Sequence, residues 1–487
     1  MKKINLLTTT SLAGAVFFTT CSLPHSNSFK GVLSTANAQT ETEKKQPRLE
    51  NVDQFVQYNA EFIWNTWENT EQMWPGSGGF KKFNRDIFMT DLKNCWIVKK
   101  DKQIEKKSIK EMPEDIQKYI NNAPAFGEID YDGKMMNYIK FDDHALNHKN
   151  ANRLHRVLMH ETFHHYQGEN WKLAEGTGWE SPLYSELLSS RQSRLEMIKA
   201  LQQALEHPKE KKQHLEAAAW WYQKYKKEHP REHWDIQLRD QMEGTANFFE
   251  NVASAYGHLG INTPKREIHS WIIDYYKNDY KDYLTKYMLH PGDECYFLHS
   301  RASLLLDILQ NNPHWKQDVE KGKLPLDLLL DSYKPVPQQP SLELKKLIET
   351  LHTYKVKPGM EQLLDGLNKQ GSVYLVTNQF FIPSYTIGDF RTHKFNDLRF
   401  SPFIDGSLSS DKGKIQLKGG SYINGILDDS VLDPGFNTVI PLPKDVVINE
   451  KNATLQAHSK IMKLDIKYDK KYIGNDGKTY FVVDMLK

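Results

Sequence analysis

The chain has 487 residues, 39% of them hydrophobic and 11% aromatic, and a net charge of +2. That apolar content excludes wholesale disorder, which needs low hydrophobicity and high net charge. A charge balance this near neutrality gives no global field for nucleic acid as a partner.

The chain opens on a basic Met1-Lys2-Lys3, followed by an uncharged, mostly apolar run from Ile4 to Phe18. A bilayer span needs about 20 apolar residues, so this run is short for one and fits an export signal instead. Ala36-Asn37-Ala38 before Gln39 has the small-x-small form of a cleavage site, which makes residues 1–38 a signal peptide. Cys21 offers a second route, a lipid-anchored cysteine, although Phe18-Thr19-Thr20 before it matches that pattern poorly. No later segment is apolar enough for a membrane span. The expected location is secreted or at the cell surface. Cys95 and Cys295 remain after the signal and lie outside any CxxC pair, so cysteine ligation of a metal is not expected. The simplest reading is two separate buried side chains; a disulfide is the alternative in an exported protein.

Residues Gln39 to Glu50 are polar and read as a leader. Asn51 to Met73 reads as a helix, with Val52, Phe55, Val56, Ala60, Ile63 and Trp67 at helical spacing. Trp74-Pro75-Gly76-Ser77-Gly78-Gly79 breaks it. Strands are expected around Asp86–Thr90, Cys95–Lys99 and Met136–Phe141, giving a small α/β layer. Helical patterns follow at Arg153–Gln167, Leu183–Leu205, Lys212–Lys227, Gln237–Tyr256 and Ser300–Gln310. Pro335-Val336-Pro337-Gln338-Gln339-Pro340 is an extended linker, and a short helical stretch runs on to about Gln370. The pattern then changes to strands, from Val373-Tyr374-Leu375-Val376 to Thr479-Tyr480-Phe481-Val482-Val483. Turn signals at Asp405-Gly406, Gly419-Gly420 and Asn475-Asp476-Gly477 separate them.

The stretch that carries chemistry is His160-Glu161-Thr162-Phe163-His164-His165. In a helix, residues i and i+4 share one face, so His160 and His164 can converge on one ion. Zinc takes imidazole nitrogens, and a catalytic site leaves one position open for water. Bound zinc lowers the pKa of that water, and Glu161, beside His160, is placed to take its proton as general base. His165 is about 100° round the helix from His164 and makes a poor co-ligand. Leu154, Val157 and Leu158 form an apolar stripe, so the motif sits on a plausible core helix.

A third ligand is needed, and Glu243 on a separate helix is the best candidate. Gly244 and Ala246 beside it are small, as close packing of two helices around an ion favours. Glu180, Glu186 and Glu196 compete for the role. Asn247, one turn past Glu243, can accept a hydrogen bond from a ligand histidine. Tyr256, His258, Tyr296 and His299 are candidates to steady a developing oxyanion. The loop from Gly168 to Ser181, with Trp171 and Trp179, either rims a cleft or is an ordinary surface loop.

HExxH followed by a distant glutamate on a second helix resembles the gluzincin class of zinc metallopeptidases. The resemblance implies a peptide or protein substrate and one zinc ion. It implies His160, His164 and Glu243 as ligands and Glu161 as the base. Gluzincins carry an aspartate one turn after the third ligand, where this chain has Asn247. More loosely, Trp74-Pro75-Gly76, the HETFHHYQ stretch and the EGTANFFE stretch look like a set of exported bacterial metalloproteins, over about Asn51 to Gln310.

The expected architecture is α+β: a mainly helical, zincin-like core with a small N-terminal α/β layer and a β-rich C-terminal domain. Residues 39–147 form the α/β part, 148–334 the helical zinc-binding part and 341–487 the β-rich domain. The leading functional expectation is a secreted zinc peptidase. Its rival is an exported binding protein with a structural or vestigial zinc site and a partner-binding tail. A zinc hydrolase of non-peptide bonds is a third reading. An intact Glu161 favours an enzyme, because a structural site has no need of a base.

Overall fold

The computed structural model describes residues 49–122, 125–141, 151–175, 187–285, 294–310 and 312–351, and, further on, 373–377, 393–395, 398–424, 438–442, 446–458, 462–473 and 478–484. The signal segment, Cys21, Trp179, Glu180, Glu186 and the Asn475-Asp476-Gly477 turn lie outside these residues. The chain is an α+β protein.

Helix α1 (Val52–Thr66) starts where the Asn51 side chain accepts from Gln54 N, an N-cap that satisfies one orphan amide. It buries Phe55, Val56, Ala60 and Ile63 as the spacing predicts. A short helix α2 (Thr70–Met73) continues it, and the chain then turns at Gly76 with φ +94°. A Cβ at Gly76 would come within 2.7 Å of the Tyr166 hydroxyl, so both the backbone and the close approach require glycine.

The first sheet has the order β3-β2-β1-β5-β4. Its strands are β1 (Ile87–Thr90), β2 (Asn94–Val98), β3 (Ile104–Ser108), β4 (Phe126–Tyr131) and β5 (Lys134–Lys140), with helix α3 (Glu114–Asn122) between β3 and β4. β1 and β5 pair in parallel, and the other neighbours are antiparallel. Both edge strands, β3 and β4, escape the sequence reading. β3, Ile-Glu-Lys-Lys-Ser, has no buried residue and so shows no apolar alternation.

The helical part comprises α4 (Arg153–Asn170), α5 (Leu187–Glu206), α6 (Lys211–Glu228), α7 (Pro230–Leu259), α8 (Lys265–Thr285) and α9 (Glu294–Leu309). Two short helices follow, α10 (Trp315–Glu320) and α11 (Pro325–Leu330). α7 begins at Pro230 rather than Gln237, with proline in the first turn where its missing N–H is harmless. α8 was not expected from the sequence. One continuous apolar core runs through α1, the inner face of the first sheet and these helices.

The proline-rich linker is extended and lies on the helical part, where Val336 N donates to Glu216 O at 3.3 Å. Leu344 and Ile348 of the next helix, α12 (Leu342–Leu351), are buried in that same core. Among the described residues, no helix is long and apolar enough to cross a membrane. Cys95 and Cys295 are both buried, and burial pushes the Cys95 thiol up to about 12.

The C-terminal part forms a second sheet with its own apolar core. Its strands are β6 (Val373–Thr377), β7 (His393–Phe395), β8 (Leu398–Ser410), β9 (Gly413–Asn424), β10 (Thr438–Pro441), β11 (Val447–Asn449), β12 (Thr454–His458), β13 (Met462–Lys467), β14 (Lys470–Ile473) and β15 (Thr479–Val483). The first and last of the expected strands, β6 and β15, are parallel neighbours. Asp405-Gly406 and Gly419-Gly420 are not turns. They lie inside the long strands β8 and β9, where the register slips between Ser401 and Ile404 and again between Ile404 and Gly406. Glycine in a strand marks such irregularities as readily as it marks a turn.

Candidate metal centre

The motif helix α4 is fastened to its neighbours at both ends. At its start, Asn59 of α1 accepts from His155 N at 3.0 Å and donates to Ala151 O at 2.9 Å. Asn152 then donates to Ser254 Oγ of α7 at 2.6 Å. Near its other end, Gln167 Nε2 donates to Met242 O at 3.0 Å and to Thr245 Oγ1 at 2.7 Å, both on α7. Between these points Phe163 stacks on Phe249, centroids 4.3 Å apart and 11° from parallel. Helices α4 and α7 are thereby held side by side, with His160, His164 and Glu243 between them.

All three of these side chains are buried, and their ligating atoms lie within 4.8 Å of one another. His160 Nε2 is 2.9 Å from His164 Nε2. Glu243 Oε2 is 3.2 Å from His160 Nε2 and 3.3 Å from His164 Nε2. Atoms bound about 2.0–2.1 Å from a tetrahedral ion lie roughly 3.3 Å apart, so this triangle has the dimensions of one face of a zinc site. The donor set of two imidazoles and one carboxylate is also one that zinc takes.

The electrostatics agree. Burial drives His160 toward its neutral form, yet the Glu243 and Glu250 carboxylates outweigh burial and raise it to about 10. Burial opposes ionisation of Glu243, and the two histidines overcome it and hold the carboxyl well below its usual range. The pocket therefore concentrates negative potential on one point and stabilises whatever cation sits there, proton or metal. The residues present fit a divalent ion.

The outer ring nitrogens also have partners. His164 Nδ1 donates to Gln167 Oε1 at 2.7 Å, which makes Nε2 the nitrogen that faces the triangle. His160 Nδ1 lies 3.0 Å from Glu250 Oε2, in an oblique approach that is a charge contact rather than an aligned hydrogen bond. Asn247, expected to orient a ligand histidine, does not: its amide donates to Glu250 Oε1 at 3.2 Å. Glu250 and Gln167 went unnoticed in the sequence. The signal was there, since Glu250 is two turns past Glu243 and Gln167 is at i+3 from His164.

Glu161 is partly exposed on α4. Burial raises its carboxyl above the usual range, although His160 and His164 pull the other way. His165 faces away from the triangle, with Lys82 Nζ donating to its Nδ1 at 2.8 Å, and burial pushes it down to about 4.

Of the competitors for third ligand, Glu196 lies elsewhere, on α5, where it accepts from Gln192 at 2.7 Å and from Ser341 N. Gly244 does permit a close approach, but to a different helix than expected. A Cβ there would lie 2.2 Å from His299 Cβ and 2.8 Å from Cys295 O, both on α9. Among the four oxyanion candidates, the Tyr296 ring is near the triangle, 6.1 Å from the His160 ring. Tyr256 is buried in the core, and His258 packs between Phe62 at 4.7 Å and Trp271 at 5.2 Å. His299 is buried, with Nε2 3.4 Å from Asp240 Oδ2. Trp171 is a packing residue rather than a rim, stacked on Trp74 at 5.2 Å.

Compared with models of protein families, with curated proteins and with solved structures, the chain matches none.

Proposed function

We propose that this chain is an exported, zinc-dependent peptidase with a zincin-like helical core of the gluzincin type. The observation that carries the reading is the buried triangle of His160, His164 and Glu243, with Glu161 beside it and less buried than the three. A zinc ion held there would act as a Lewis acid, making water more acidic and polarising a peptide carbonyl.

The chain's own residues do the rest. His160, His164 and Glu243 would hold the ion. Glu161 takes a proton from the attacking water and delivers it to the leaving amine. Tyr296, with its ring near His160, is the donor for the developing oxyanion.

Glu161→Gln keeps the size and reach of the side chain and removes its basicity. Side-by-side digestion of a mixed peptide library by parent and variant, both zinc-loaded, tests the assignment. The variant is expected to bind zinc like the parent and to hydrolyse about 10²–10⁴-fold more slowly. Equal rates would remove Glu161 from the mechanism.

A further inference from the structure

The two ligand histidines are backed by arms of different charge. Behind His164 the arm is neutral: Gln167 accepts from its Nδ1 and passes two hydrogen bonds on to Met242 O and Thr245 Oγ1. Behind His160 the arm is ionic. Glu250 faces its Nδ1 at 3.0 Å, and the other Glu250 oxygen accepts from the Arg156 guanidinium and from Asn247. Arg156 is itself fixed, lying 4.7 Å over the Tyr275 ring and donating to its hydroxyl. His160 and Arg156 are one turn apart on α4, and Glu250 reaches both from α7.

The geometry points to Glu250, held by Arg156 and Asn247, as the positioning residue that turns His160 toward the ion and sets how tightly the ion is held. The inference rests on the metal reading of the triangle and goes beyond it. A carboxylate set against the outer nitrogen of a ligand imidazole draws the ring toward one orientation and raises its basicity through its charge, and loss of such a partner typically weakens metal binding about 10–100-fold. Gluzincins place an aspartate one turn after the third ligand. Here that place is Asn247, and the carboxylate comes from the next turn of the same helix. Asn247 serves as a donor that steadies Glu250. An aspartate placed at 247 would therefore set two carboxylates against each other, where one donor now supports one acceptor.

The test uses the full chain, its Glu250→Gln variant and its Asn247→Asp variant. Zinc affinity is read by competition with a chromophoric chelator, ligand geometry by the absorption spectrum of the cobalt-loaded protein, and folding by thermal melting without metal. Glu250→Gln is expected to lose about 10–100-fold in zinc affinity with an altered cobalt spectrum. Asn247→Asp is expected to bind zinc more weakly than the parent, despite its resemblance to the gluzincin pattern. A merely structural Glu250–Arg156 pair predicts lower melting temperatures with unchanged affinity and spectrum, and that result overturns the inference. So does tighter zinc binding by Asn247→Asp. A parent that binds no zinc overturns the metal reading itself.

Discussion

The helical part and the C-terminal sheet fill their interiors differently. The sheet's core is apolar, built from residues such as Leu375, Ile415, Leu455, Leu464 and Phe481. Among its described residues, Thr377 is the one buried polar side chain. The helical part buries His160, Glu243 and Glu250 at one place. Next to them it buries Arg191, Arg194, Asp240 and Glu294, joined by ion pairs of 2.6 Å (Arg191 to Glu294) and 2.7 Å (Arg194 to Asp240). Desolvating charges is expensive, and replacing buried ion pairs by well-packed apolar residues is often neutral or stabilising. Among the described residues, the sheet builds its interior without them. Stability alone does not call for the charges of the helical part, and two of them, His160 and Glu243, converge with His164 at the spacing of metal ligands.

The contrast can be broken by substitution. Leu464 is 1% exposed in the middle of β13. Leu464→Ala should destabilise the sheet by about 2–5 kcal/mol and leave zinc affinity at the parent's value. Thermal unfolding together with zinc titration measures both. A loss of zinc would make the two regions one cooperative unit and end the contrast.

Gly244→Ala should have a smaller effect on stability, of about 1–3 kcal/mol, through overpacking against His299 and Cys295. Here stability and zinc affinity should fall together, because α9 is pushed off α7 beside Glu243. Unchanged affinity would separate the α7–α9 contact from the site.

The mildest probe is pH. In the metal-free protein His160 is raised from 6.5 to about 10, so its contribution to stability is complete below pH 6.5 and is lost as pH rises toward 10. Glu243 is depressed below 4.5, so its contribution is present above that pH and lost on acidification. Melting temperatures of metal-free protein should decline between pH 6.5 and 10, and zinc should flatten that decline by taking the proton's place. Parallel curves with and without zinc would contradict this.

How much of this was legible in the residues follows from the range of each pattern. His160, His164 and the helix under them are a local i, i+4 arrangement on an apolar stripe, and such patterns report faces directly. Glu243 stands out in the sequence by its small neighbours Gly244 and Ala246, and the structure gives the first a different use: the glycine allows close packing against α9. The structure sets Glu250 rather than Asn247 against His160, because which of two polar residues reaches a histidine on another helix depends on how the helices cross. Arg156 carries no signal until Glu250 and Tyr275 are beside it. In the sheet, Asp405-Gly406 and Gly419-Gly420 have the composition of turns, and only strand pairing reveals them as irregularities within β8 and β9.

The central claim is that the buried triangle holds a metal ion, and metal content tests it most directly. The measurement is elemental analysis of the purified parent, His160→Ala and His164→Ala, each checked for folding by circular dichroism. The account predicts about one zinc per chain in the parent and none in either folded variant. A folded variant that retains the parent's zinc, or a parent that takes up none when zinc is supplied, would contradict it.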